Sequence, residues 1–111
     1  MRRDRVASLL EREISHIITQ DMSDPRCRFI TVTKVMVSSD LKEATVYFSS
    51  LGDKSESLVT LQKAKGYIKI ILAHRVRLKF LPDLRFIIDD SYEYGKKIDE
   101  LFKKISNDHT E

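Results

Sequence analysis

The sequence predicts an α+β domain in which helices cover one face of a mixed sheet, and three observations carry that expectation. An apolar stripe at spacings of three and four opens the chain. Two β-branched runs follow, close enough to form a hairpin, and a third alternating run comes only after a long helical stretch. A hairpin requires antiparallel pairing, whereas a strand reached through a helical crossover pairs parallel, so one sheet must hold both.

The first stripe is Val6, Leu9, Leu10, Ile14, Ile17 and Ile18, which predicts an amphipathic helix from Arg3 to about Gln20. Arg5 and Arg12, seven apart, project in nearly the same direction from it, with Arg2 close by. Asp24-Pro25 closes this segment, because proline lacks an amide hydrogen and disfavours a helical residue before it. Phe29 to Val37 is rich in β-branched residues and reads as a strand, with alternation that falters around Lys34, as at a bulge. Ser38-Ser39-Asp40 makes a turn. Glu43 to Ser49 then alternates, with Ala44, Val46 and Phe48 on one face. A helix is predicted from Ser55, a suitable N-cap, with an interruption at Gly66 and a second piece from Tyr67 to about Leu78. On that second piece Lys69, Ala73 and Arg77 form a stripe at spacings of four. After Pro82-Asp83, Leu84, Phe86 and Ile88 alternate as a third strand. Asp90 or Ser91 caps a last helix whose stripe is Ile98, Leu101, Phe102 and Ile105.

With 111 residues, 41% apolar and 33% charged, the chain supports one modest core beneath a charged surface. Residues 1–105 are expected to form that domain, and 106–111 a flexible tail. The single cysteine, Cys27, excludes an intrachain disulfide and a thiolate metal cluster, and is expected to pack as a small buried hydrophobe. His16, His74 and His109 stand in separate segments, and no carboxylate pair, P-loop or nucleophile–base motif accompanies them, so no catalytic residue is assigned and an enzyme is not expected. Asp89-Asp90 is read as a helix cap, not a metal site. No cofactor is implied. Neither a secretory h-region nor an apolar run long enough to span a membrane occurs, so a cytoplasmic protein without membrane contact is expected.

The net charge of +3 conceals a lopsided distribution. Residues 1–56 are neutral overall and residues 83–111 carry a net −3, whereas residues 57–82 hold six Lys or Arg and no acid. Taken singly, each of these cations reads as a solvated charge. An acid-free stretch of 26 residues generates a local positive potential and points to a polyanion.

The order α-β-β-α-α-β, with a short break between the middle helices, resembles the type II K-homology (KH) fold, whose members clamp single-stranded nucleic acid with a GXXG loop. This chain has no GXXG. In its place stands Ala64-Lys65-Gly66, and an Ala-X-Gly kink at that point resembles the ribosome-binding factor A family. Arg2-Arg3-Asp4-Arg5-Val6, Asp24-Pro25-Arg26, the segment from Val35 to Ala44, Val46-Tyr47-Phe48 and the segment from Arg75 to Leu84, with Phe86 and Asp89 beyond, resemble that family in order and spacing over about residues 2 to 105. The resemblance implies a KH-like domain with an interhelical kink at Ala64 and Gly66, plus a C-terminal helix. It also implies a factor that binds the small (30S) ribosomal subunit and its 16S rRNA late in assembly, supporting 16S rRNA processing and cold adaptation. Small-subunit ribosomal proteins are the further contacts that fit this reading, and the chain is expected to be a monomer.

Without the glycine loop, backbone contact with a single strand should be minor, and recognition should rest on cations meeting phosphates of folded RNA. The candidates are Lys63, Lys65, Lys69, Arg75, Arg77 and Lys79, joined by Arg2, Arg3, Arg5 and Arg12 if the first helix packs alongside. Arg26 and Arg28 are weaker candidates. Tyr67 and His74 are able to stack on bases, although Tyr67, at the expected kink, is read first as a packing residue, whereas Phe29, Phe48, Phe80, Phe86 and Phe102 occupy core-like positions. The competing reading is a protein-interaction module that docks a sheet edge or the last helix on a ribosomal protein or nuclease.

Overall fold

The first helix forms where the apolar stripe places it. α1 spans Arg2–His16 and buries Val6, Leu10 and Ile14, which lie four apart on one side of the helix. The computed structural model describes residues 2–89, so the predicted last helix, with Ile98, Leu101, Phe102 and Ile105, and the tail lie outside the described residues. The continuation towards Gln20 is a π-turn over Ile17–Asp21, closed by the Met22 amide donating to the Ile17 carbonyl at 3.1 Å. This wider turn buries the adjacent Ile17 and Ile18 together. The Thr19 hydroxyl donates to the Ser15 carbonyl at 2.9 Å, giving a partner to an acceptor in the loosened segment.

A 3-10 turn follows over Pro25–Phe29, capped by Asp24, which accepts from the Arg26 amide at 3.0 Å. β1 (Ile30–Val37) and β2 (Glu43–Ser50) pair antiparallel, and β3 (Asp83–Ile88) pairs parallel with β2, in the order β1-β2-β3. The mixed sheet expected from the crossover is present, with β2 at its centre. The faltering alternation is a bulge: Val32 pairs with Phe48 and Lys34 with Tyr47, which leaves Thr33 as the extra residue. Thr33 Oγ1 donates to Asp89 Oδ2 at 2.7 Å, so the bulge reaches across β2 to the end of β3. Ala44, Val46 and Phe48 are fully buried on one face of β2. That face is the covered one, with α1 lying chiefly on β1 and α2 on β3.

α2 spans Lys54–Arg75 and is uninterrupted for 22 residues. This corrects two expectations. Its cap is Asp53 and not Ser55, Asp53 Oδ1 accepting from the Glu56 amide at 2.8 Å. The break at Ala64-Lys65-Gly66 is also missing, so the described elements read α-β-β-α-β in place of α-β-β-α-α-β. Leu61, Ala64, Ile68 and Leu72 present one apolar stripe to the core on both sides of Gly66. A lone glycine costs about 1 kcal/mol in a helix interior, less than the roughly 1.5–3 kcal/mol gained by burying one large aliphatic side chain.

Gly66 faces outward, no neighbour lies within 4 Å of a Cβ placed on it, and its φ is not positive. Gly66→Ala is therefore expected to stabilise the fold by about 0.5–1 kcal/mol, read as a rise in thermal midpoint. A fall in that midpoint would mean that the native chain bends at this glycine.

Candidate nucleic-acid interface

The end of α2 decides how the basic stretch is displayed. The helix stops at Arg75 and Val76 adopts extended backbone, so the chain leaves the helical repeat there. Val76 is buried and Leu78 half-buried, while Arg77 and Lys79 are exposed. The stripe predicted through Lys69, Ala73 and Arg77 is thereby corrected. Arg77 leaves it and is exposed, as is Lys79, on the irregular connector that follows α2.

Arg75 has a different environment. Its Nη1 donates to Asp21 Oδ2 at 2.7 Å and lies 3.1 Å from His16 Nδ1, tying the end of α2 to the π-turn after α1. The Arg75 hydrogen bond holds the Asp21 carboxyl below its ordinary range. A carboxyl lowered by folding stabilises the native state above its unfolded pKa, near 4, and loses that contribution as pH falls through the folded value. Asp21→Asn should accordingly lower the thermal midpoint at neutral pH and much less at about pH 3. An equal loss at both pH values would show that the carboxylate charge does not carry the tie.

The other predicted cations are spread over several surfaces. Lys65 and Lys69 are one turn apart on the flank of α2 towards β3, where Lys69 Nζ lies 3.9 Å from Asp83 Oδ1. Lys63 stands on the outward face of α2 together with Tyr67, Ile70 and His74, and Ile70 is 62% exposed there. The His74 Nδ1–H donates to the Ile70 carbonyl at 2.8 Å. Arg5 and Arg12 do share a direction, lining one shallow depression of about 390 Å³ on the outside of α1 with Ser8 between them. Arg12 Nε lies 3.6 Å from Glu13 Oε1. Arg3 is exposed at the start of α1, and Arg26 is held by both carboxylate oxygens of Asp24, at 2.7 and 3.0 Å.

Arg2 alone among the α1 arginines meets the connector. It precedes Val6 by four residues, so it overhangs the side of α1 that enters the core. There it borders a groove of about 320 Å³ with Lys42, Lys79 and Phe80. Phe80 is 78% exposed and Phe29 52% exposed, whereas Phe48 and Phe86 are buried. The expectation that these phenylalanines all pack in the core is corrected for Phe29 and Phe80, and Phe102 lies outside the described residues. Sequence reasoning also missed Lys42, whose neighbours Asp40 and Glu43 mask it in a charge count.

Cys27 is buried, and burial pushes its thiol up, away from reactive thiolate. Among the described residues no three of His, Cys, Asp and Glu are grouped to hold a metal ion, and no helix is long and apolar enough to cross a membrane.

Comparison with known proteins decides the family. The family model described as ribosome-binding factor A matches residues 2–102. The chain belongs to the ribosome-binding factor A family. Ribosome-binding factor A of Macrococcus caseolyticus is 43% identical over 111 residues, covering 97% of this chain and 97% of the relative. That of Halothermothrix orenii is 44% identical over 107 residues, covering 94% and 88%. The crystal structure of ribosome-binding factor A from Thermus thermophilus superimposes with a TM-score of 0.73 at 30% identity, over 78% of this chain and 93% of that one. A homology model of Thermus thermophilus ribosome-binding factor A, fitted into the cryo-EM map of a 30S complex, matches with a TM-score of 0.66 at 31% identity. It covers 76% of this chain and 91% of that one. The small α+β architecture is thus shared with solved members of the family.

Proposed function

We propose that this chain is a non-catalytic assembly factor that binds the small (30S) ribosomal subunit and its 16S rRNA late in maturation. In this reading it supports 16S rRNA processing and cold adaptation, and acts as a cytoplasmic monomer. The observation that carries the proposal is the likeness to a relative fitted into a 30S complex. The acid-free stretch supports it, because it ends in a connector that turns Arg77 and Lys79 to solvent.

We read the domain as KH-like, with Ala64-Lys65-Gly66 where a GXXG loop would stand. Here that segment lies inside α2, where amides donate to carbonyls four residues back and none is free to hold a phosphate. Recognition by side chains follows from this. Lys63, Lys65, Lys69, Arg77 and Lys79 are the proposed phosphate contacts, with Arg2, Arg3, Arg5 and Arg12 from α1. Arg75 serves the Asp21 tie first.

Co-sedimentation with immature small subunits at rising salt tests the reading. Affinity is expected to fall steeply, because each phosphate neutralised releases counterions. Salt-insensitive binding that survives removal of the RNA would overturn it in favour of docking on a ribosomal protein or nuclease. A strain lacking the protein should accumulate unprocessed 16S rRNA in the cold.

A further inference from the structure

The groove at the start of α1 holds an aromatic ring where a soluble domain has little reason to place one. Phe80 is 78% exposed although a phenylalanine gains most when buried. The floor is apolar, made by Val6, Leu41, Leu78 and Pro82. Leu41 is held there with φ at 63°, a left-handed conformation that a branched side chain rarely adopts. The hairpin turn fixes it: the Leu41 amide donates to the Ser38 carbonyl at 2.9 Å, and Asp40 accepts from the Ser38 hydroxyl at 2.7 Å and the Lys42 amide at 3.1 Å.

The rim is cationic. Arg2, Lys42 and Lys79 line the groove against one acid, Asp40, which the turn already engages. Lys79 Nζ stands 5.8 Å from the centre of the Phe80 ring, a cation–π distance that keeps a positive charge beside the aromatic face. An exposed ring beside a cluster of cations matches the two chemistries of a nucleotide, a flat base and an anionic phosphate. A protein partner with apolar side chains would find no use for the three cations.

We propose that this groove is a subsite for one unpaired nucleotide of the bound RNA. Its base stacks on Phe80, and Arg2, Lys42 and Lys79 meet the flanking phosphates. The inference rests on the proposed RNA-binding function and adds to it a single-stranded contact that charge alone does not imply.

The chain contains no tryptophan, so Phe80→Trp places a sole indole reporter at the groove. The probes are purified small subunits and a short single-stranded oligoadenylate. Quenching of that fluorescence by both is the expected result, since a stacked base quenches indole. Phe80→Leu, which keeps apolar bulk without an aromatic face, should weaken subunit binding roughly ten-fold, with Phe80→Tyr near wild type. Wild-type affinity in Phe80→Leu would overturn the subsite, as would an indole that shifts to the blue without quenching, the mark of protein docking. Salt-sensitive subunit binding retained in either case would leave the RNA-binding reading standing. Failure of the wild-type chain to bind subunits would remove that reading and the subsite with it.

Discussion

Phe48→Ala is expected to cost about 3–5 kcal/mol of folding stability, read as a shift in denaturant midpoint at constant slope. Phe48 is fully buried on the central strand, paired with Val32 on one side and Ile88 on the other. Backbone bonds on both sides hold β2 in place, so the cavity left by the ring has little freedom to collapse. A small domain has only about 5–15 kcal/mol in total, and the loss is therefore a large share of it. Phe80→Ala removes the same atoms from a ring that is 78% exposed and should change stability by no more than about 0.5 kcal/mol. Comparable losses in the two variants would refute the burial difference on which the groove is argued.

The same pair of residues shows where sequence reading succeeds and where it stops. Phe48 is legible because it alternates with Thr45, Tyr47 and Ser49 along a strand, and a period of two assigns a face. The stripe of α1, the bulge and the parallel crossover are legible for related reasons, since each leaves a local pattern. Phe80 lies in an irregular connector, where no period assigns a face, and an aromatic there defaults to the core by hydrophobicity alone. Gly66 misleads in the opposite direction. Its propensity marks a break, but the stripe through Leu61, Ala64, Ile68 and Leu72 carries the helix across it.

The candidate site divides along the same line. The excess of charge in residues 57–82 needs only counting. Its display needs the point where the helix ends, and a stop at Arg75 is written in no cap or proline nearby. Arg75 looks equivalent to Arg77 in a charge count. Only the fold brings Asp21, 54 residues earlier in the chain, to within 2.7 Å of one of them.

That distinction yields the largest effect expected on binding. Arg77→Glu combined with Lys79→Glu should weaken small-subunit binding on the order of 100-fold and leave the thermal midpoint nearly unchanged. Each cation offers a charge-assisted bond to phosphate worth about 1.5–3 kcal/mol, and 1.4 kcal/mol is ten-fold in affinity. The slope of affinity against salt should also fall by about two, one for each phosphate no longer neutralised. Arg75→Glu should behave in the reverse manner. It sets a carboxylate against Asp21 and destabilises the fold, and whatever binding it loses should track the unfolded fraction. Arg5→Glu combined with Arg12→Glu supplies the matched comparison, reversing two proposed contacts on the outside of α1, away from the connector, where a smaller loss is expected. A loss there as large as at Arg77 and Lys79, with the same change in slope, would move the centre of the RNA-binding surface from the connector to α1. Equal and small losses in both would mean that net charge, and not the connector's geometry, governs the encounter.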